Sequence, residues 1–449
     1  MANTYLTRTF GSNGNRKTFT ISVWIKNTAI GAARSIFHGD TGSNTNGTHD
    51  DFYFTGSDTI AFGGWNSNYI YTLPKYRDTN AWYHAVLSVD TTQSTEANRV
   101  KFYINNVEQS RTQGAGYPAQ NFDTAFIKAG TFEIAGNSAA SGYGNYVLSH
   151  YHFVDGTALT PSTFGSTDST TGEWKINTSP TVSSYGTNGF FILKDGNSGT
   201  DQSGNSNNFT VGGGTLTKTE DNPSNVFCTW NPLNSYYGGG TFSWGNNKIV
   251  LPNKNGAWNT GTLAMTSGKY YWEIKVGGDA NGGEVQVGIA DKSPVGNQGS
   301  TAGKAFGYSS NGEYGIYAWN GAFIGNAVPN SYTAYGATSC EDGYIMIAVD
   351  LDNNKFYGGL NGTWFASGNP STGTNGKTIQ AVADTVDKCY YPAVSTYQGY
   401  SGTVETNFGN GYFADNAVSN PGTNASGNGI FKYAVPTGYT ALSTKGLNL

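Results

Sequence analysis

At 449 residues the chain is long for one sandwich and comfortable for two domains, and its formal charge of −5 comes with scattered basic residues that form no stripe to track a phosphate backbone. Only 12% of residues are charged, 14% are Phe, Tyr or Trp, and 63 are glycine, a composition suited to aromatic cores closed by many tight turns. No run approaches the roughly 18 apolar residues of a membrane span, and the Met1 end lacks the apolar stretch of a secretory signal, so neither nucleic-acid binding nor membrane insertion is expected.

From the N-terminus, Phe19, Ile21, Val23 and Ile25 alternate with polar or exposed-type residues, the period of a half-buried strand. The segments beginning at Ile36, Trp82, Val100 and Phe132 repeat the pattern, and Asn105-Asn106 sits where a two-residue hairpin turn needs positive φ. His150 and His152 share a face if 148–154 is a strand, where they could chelate a metal or stand as ordinary surface histidines; the second reading is favoured because no third ligand is near in sequence. His84 reads as a core-strand residue. Residues 176–255 are rich in Gly, Asn, Ser and Thr, yet 190–193 and 209–211 look like strands, so this connection is expected to be ordered. Further on, Tyr270, Trp272, Ile274 and Val276 alternate with Tyr271, Glu273 and Lys275, predicting one face in a core and one in solvent. Val285, Val287 and Ile289, then Ile345, Ile347, Val349 and Leu351, do the same, the last set before the turn Asp352-Asn353-Asn354. No ordinary amphipathic helix stands out. The fold class is all-β, with two antiparallel, jelly-roll-like β-sandwiches in series: residues 1–175, the connection 176–255, and residues 256–449.

Three widely spaced cysteines, Cys228, Cys340 and Cys389, suit buried thiols made in a reducing cytoplasm better than a disulfide framework or a zinc site.

The words GKYYWEIKV, VQVGIAD, MIAVDLDNNKFYGGLNGTW and VETNFGNGYF resemble, in order and spacing, the SPRY family of β-sandwich recognition modules. In the first half, TISVWIK, IFHG, WYHAVLSVD, FYINNVEQ, FEIAGN and LSHYHFVDGTALTPSTFG resemble the laminin-G-like, concanavalin A-like jelly roll. The words DQSGNSNNF, DNPSNVFCTWNPL and VPTGYTAL, placed around these two modules, resemble structural and fibre-like proteins of marine bacteriophages. The combined resemblance implies a non-enzymatic virion surface protein, a tail fibre or adhesin or a capsid decoration, made in the host cytoplasm. Its partners would be other virion proteins, host-surface glycans and further copies of itself. Jelly rolls of this class include glycan hydrolases, which makes a glycan-degrading enzyme the alternative. That chemistry needs two carboxyl groups about 5–5.5 Å apart for retention, and no Glu-x-Asp-x-(x)-Glu word is present. Asp50-Asp51 is an adjacent pair whose side chains would point to opposite faces of a strand.

Aromatic side chains among Gly and Asn are the favoured glycan-binding equipment, because sugar faces stack on Tyr and Trp. Trp65, Tyr69 and Tyr71 form one such cluster, and Tyr314, Tyr317, Trp319 and Asn320 form a second. Trp24, Trp82 and Trp272 read as framework. No cofactor is called for, although Asp195, Asn197 and Asp201 offer alternating oxygen ligands of the kind that hold a structural calcium.

Overall fold

The computed structural model describes residues 3–40, 49–64, 67–138, 141–194, 196, 198–236, 239–254, 256–277, 285–292, 312–325, 332–336, 338–397 and 400–448. Helix among them is limited to single 3₁₀ turns such as Pro161–Thr163, and no helix is long and apolar enough to cross a membrane. The chain divides into two compact units, Met1–Lys218 with Asn222–Ser224, and Thr219–Asp221 with Asn225–Leu449.

Two large sheets build the sandwich of the first unit, beside a two-stranded ribbon of Gly165–Thr167 and Trp174–Ile176. In spatial order the larger runs Arg111–Gln113, Ser67–Thr72, Ile60–Gly64, His49–Phe54, Arg34–Asp40, Gly130–Ile134, Tyr5–Phe10 and Thr210–Gly213. The smaller runs Phe190–Ile192, Tyr146–Asp155, Thr18–Asn27, Tyr83–Asp90, Val100–Ile104 and Val107–Glu108. All the pairings are antiparallel, and the alternate apolar residues of both sheets meet in one core. Phe37 of the eight-stranded sheet packs 5.4 Å from Phe153 of the six-stranded one, and Phe52 stacks on Phe102. Asn105 and Asn106 both adopt positive φ, 49° and 70°, and close the hairpin that follows Val100–Ile104.

The outer face of the six-stranded sheet is also covered. His84 lies between Trp24 and Trp174, its ring stacked on both. Trp174 Nε1 donates to His84 Nδ1 (3.0 Å), and Nε2 is 2.8 Å from Ser22 Oγ. Because an indole can only donate, Nδ1 is the bare nitrogen and the ring is neutral. Burial pushes its pKa down to about 3. His152 stacks on Phe191 at 3.9 Å and meets the Tyr185 hydroxyl.

The second unit repeats the plan. One sheet runs Trp230–Tyr236, Trp258–Gly261, Tyr391–Thr396, Val285–Ala290, Glu313–Tyr317, Ala322–Ile324 and Tyr332–Thr333. The other runs Thr241–Ser243, Lys248–Leu251, Gly402–Asn407, Lys269–Gly277, Tyr344–Asp350, Lys355–Leu360 and Thr363–Trp364, with Lys377–Thr378 and Thr440–Ala441 as branches. Trp272, Ile274, Ile347 and Val404 from the second sheet meet Val287, Ile316 and Val394 from the first in a common core.

Two expectations bear on these elements. First, the connection expected to be ordered over 176–255 carries strands at the two places expected and divides between the units: Phe190–Ile192 and Thr210–Gly213 are edge strands of the first unit's two large sheets, while Trp230–Tyr236 and Lys248–Leu251 belong to the second unit. Edge strands this short carry too little pattern to declare their sheet. Second, Tyr271 and Glu273, on the face of Lys269–Gly277 expected in solvent, are buried, while Lys275 is half-buried. Tyr271 packs with Met346, Tyr357, Phe431, Tyr439 and Ala441 in a second apolar layer outside the sheet. Glu273 fastens that layer, accepting from Tyr271 Oη (2.9 Å), Tyr433 N (2.7 Å), Lys432 N (2.8 Å) and Asn407 Nδ2 (3.3 Å).

The same five-residue turn is found in both units, at 201–205 and 424–428. In both, the third residue, a serine, donates N–H and Oγ–H to the first side chain, and its Oγ accepts from the N–H of the fifth. The fourth residue is glycine at positive φ, 95° for Gly204 and 61° for Gly427.

Candidate functional site

The eight-stranded sheet has one face of each chemistry. Leu6, Ile134, Phe37, Phe52, Phe62 and Ile70 pair in register across it and form the core side. One residue along, the outer face carries a transverse row at register positions Thr210, Thr7, Glu133, His38, Asp51, Gly63 and Asn68. A second outer row runs Thr112, Tyr71, Ala61, Tyr53 and Ser35. Two irregularities shape this face. Ile36 is skipped where Ser35 and Phe37 pair consecutively with Tyr53 and Phe52, and Tyr69 is skipped between Asn68 and Ile70. Such bulges re-aim side chains; the first sends Ser35 outward, to Asp51.

Asp51 is the hub. Its carboxylate accepts from Ser35 Oγ (2.7 Å) and Asn137 Nδ2 (3.4 Å), with His38 Nδ1 at 3.1 Å and His49 Nε2 at 3.3 Å. The imidazoles meet edge to face, 4.7 Å between centroids. Both histidines are buried, whereas the Asp51 side chain keeps 14% exposure. Burial works to raise the Asp51 pKa, but the hydrogen bonds from His38, His49 and Ser35 prevail and hold it below the usual carboxylate range. Asp50 is the converse case. It points to the core side, fully buried, and burial, partly offset by the Ala125 N–H, pushes its pKa up to about 8. Neighbouring carboxyls thus sit on opposite faces with their pKa values displaced in opposite directions. Tyr53 is pushed up to about 12 by burial and by the Asp51 charge. Glu133 is held by Ser138, whose N–H and Oγ–H both donate to it.

The residues singled out in the sequence land in varied places. Trp65, Asp195 and Asn197 lie outside the described residues, and Tyr69 is placed by its backbone alone. Tyr71 is half-buried in the second outer row. Tyr314 and Tyr317 are not displayed in a loop; they belong to the strand Glu313–Tyr317 and are 2% and 5% exposed. Tyr314 points into the core, near Phe323 and Tyr390, while Tyr317 stacks on Tyr332 (4.8 Å) and abuts Tyr397. Trp319, by contrast, is 46% exposed at the hairpin tip beside exposed Asn320, whose Oδ1 accepts from Ala322 N. Asp201 does not offer free oxygens to calcium. Phe191 N and Ser203 N donate to Oδ1, and Ser203 Oγ and Asn207 N donate to Oδ2, which uses all four lone pairs of an ionised carboxylate. His150 and His152 are buried rather than surface residues, and a register irregularity between Ser149 and His152, with His150 at φ 48°, breaks their expected alternation.

Sequence reasoning missed the grouping of His38, His49 and Asp51. His38 and Asp51 are direct cross-strand partners, but that register is set by pairing and a bulge, which leave no contiguous motif.

Fold and face together define a class: an all-β protein of two antiparallel sandwiches, the first with a polar, hydroxyl- and imidazole-bearing sheet face. Residues 2–143 match the family model described as the concanavalin A-like lectin/glucanases superfamily, so about a third of the chain is similar to that group. Among solved structures, the SPRY domain of human HERC1 aligns at 14% identity over 39% of this chain and 96% of that one, TM-score 0.28. A "putative carbohydrate binding protein" from Bacteroides ovatus aligns at 15% identity over 48% of this chain and 58% of that one, TM-score 0.31. A pentraxin from Limulus polyphemus aligns at 20% identity over 35% and 71%, TM-score 0.26. No curated protein matches the chain.

Proposed function

We propose that the protein is a non-enzymatic surface component of a bacteriophage particle, a tail fibre or adhesin or a capsid decoration, whose first sandwich grips a host-surface glycan. The observation that carries the binding role is the outer face of the eight-stranded sheet. Its two transverse rows set Thr, Ser, Asp and His beside Tyr53 and Tyr71, pairing hydroxyl-binding groups with rings that can stack on a sugar. Apart from Thr210, this face lies within the residues similar to the lectin/glucanase superfamily. The virion role is supported by the resemblance of the inter-domain and terminal words to marine phage structural proteins. Burial of Cys228, Cys340 and Cys389 agrees with synthesis in a reducing cytoplasm.

The non-enzymatic reading is favoured by how the carboxylates are used. Asp51 and Glu133 share the outer row but are separated by the strand of His38, roughly 10 Å at normal strand spacing. Retaining hydrolysis needs carboxyl groups about 5–5.5 Å apart, about half the backbone separation of these two strands. Binding of labelled protein to polysaccharides from the host envelope tests the proposal, together with immunogold labelling of intact particles. Retention by an envelope glycan and surface label support it. Release of oligosaccharides abolished by Asp51→Asn would replace it with the hydrolase reading, and unlabelled particles would remove the virion role.

A further inference from the structure

We propose that His38, His49 and Asp51 form a binding site for one divalent transition-metal ion that prefers imidazole, Zn²⁺ foremost, with a coordination position left for water or a ligand oxygen.

The geometry carries it. His38 Nδ1, His49 Nε2 and an Asp51 carboxylate oxygen lie within 4.8 Å of one another, the one such convergence of three ligating residues among the described residues. Zinc bonds of about 2.0–2.1 Å in a tetrahedron put neighbouring ligand atoms about 3.3 Å apart. The separations here are 3.1 Å for His38 Nδ1 to Asp51 Oδ1 and 3.3 Å for His49 Nε2 to Asp51 Oδ2, so the rings approach different oxygens of one carboxylate, and a small shift inward brings both nitrogens and one oxygen onto a single ion. Two imidazoles turned edge to face about a single carboxylate are the arrangement a small cation would organise.

The supporting contacts suit a metal centre. Ser35 Oγ and Asn137 Nδ2 fix one oxygen each of Asp51, the kind of outer contact that orients a ligating carboxylate. Two nitrogens and one carboxylate exclude calcium, which takes six to eight oxygens, and match ions served by imidazole. The other histidines are otherwise engaged: His84 by Trp174 and Ser22, His152 by Tyr185, and His150 by Ser149. Proton balance is simple. An ionised carboxylate can only accept, so each imidazole donates through its Asp51-facing nitrogen. When the ion binds, that proton moves to the other ring nitrogen, and a neutral ring releases none.

The test uses the full chain without a histidine tag, stripped with chelator and titrated with Zn²⁺, Co²⁺ and Ca²⁺. One equivalent of Zn²⁺ should bind, Co²⁺ should compete and give the intense visible band of a four-coordinate site, and Ca²⁺ should not compete. X-ray absorption of the zinc form should show two imidazoles and one carboxylate at about 2.0–2.1 Å. Asp51→Asn and His49→Ala should each lose Zn²⁺ affinity by about a hundredfold or more, Ser35→Ala by about tenfold to a hundredfold, while His150→Ala binds normally. Failure of the wild-type chain to take up one Zn²⁺ at 100 µM would overturn the site, as would an absorption spectrum without imidazole or unchanged affinity in folded Asp51→Asn. The wild-type measurements decide the matter even if a variant fails to fold.

Discussion

The turns at 201–205 and 424–428 share their serine, their glycine at positive φ and three hydrogen bonds, and differ at the first residue, Asp201 in one and Asn424 in the other. Asp201, with two acceptor oxygens, also takes the N–H groups of Phe191 and Asn207. Asn424 instead gives its amide hydrogens to the carbonyls of Asn428 and Gly429. Either side chain can make the turn, and its donor or acceptor character decides what the turn is fastened to. The same division holds for the outer layers. The first unit covers its six-stranded sheet with neutral, stacked rings around His84 and His152, whereas the second secures its cover with the carboxylate of Glu273.

The strongest way to break this comparison is Glu273→Ala. It strands two backbone N–H groups and the Tyr271 hydroxyl, leaves Asn407 Nδ2 with the Ile430 carbonyl alone, and should cost the second unit about 3–5 kcal/mol. Denaturant unfolding read by hydrogen exchange in each unit would show the loss in residues 420–441 and spare the first unit. A uniform loss across both units would mean that Glu273 does more than hold its own cover.

Acid should separate the units next. His84, pushed down to about 3, and His152, also well below its ordinary value, stay neutral when folded, but both take up protons once unfolded below about pH 6.5. The stability they contribute is therefore lost as pH falls through that window. Asp50, pushed up to about 8, acts in the opposite sense by one proton, and the two imidazoles outnumber it. Glu273, raised by burial, keeps its proton above the ordinary glutamate value when folded, so its contribution falls as pH rises. Between pH 6.5 and 4 the first unit should lose stability relative to the second, the direction being set by the two neutral imidazoles. Parallel pH profiles for the two units would contradict the assignment of neutral rings to one cover and a carboxylate to the other.

Exchanging the two turn residues sharpens the contrast. Asp201→Asn sets an amide against N–H donors, and Asn424→Asp sets a charge against two carbonyls; each should cost about 1–3 kcal/mol in its own unit by thermal or urea unfolding. Trp319→Ala, at an exposed hairpin tip, should shift stability by less than about 0.5 kcal/mol. Weakened glycan retention in that variant would add the second unit to the binding surface.

Period-two alternation made the central strands readable. Thr18–Asn27, Tyr83–Asp90, Lys269–Gly277 and Tyr344–Asp350 lie where the apolar residues place them, because each packs one face into a core. Alternation reports only that a residue faces a given side; it is silent on what lies over that side. Hence the burial of Tyr271 and Glu273 beneath 420–441, and of Tyr317 against Tyr332 and Tyr397, was not legible. The adjacent pair Asp50-Asp51 was legible as two opposite faces, since that needs only strand geometry. Its assembly with His38 and His49 needed the register between two strands, and a bulge shifts that register by one residue.

The parallel pairing of Tyr270 and Tyr271 with Thr440 and Ala441 has a consequence for biosynthesis. The strand that anchors this sheet leaves the ribosome long before the partner that completes it. Until Phe431, Tyr439 and Ala441 have been translated, Tyr271, Met346 and Tyr357 present an aromatic surface with no cover. Nascent chains stalled before that point should therefore be the form that chaperones hold and that aggregates most readily, however well the rest of the second sandwich has already packed.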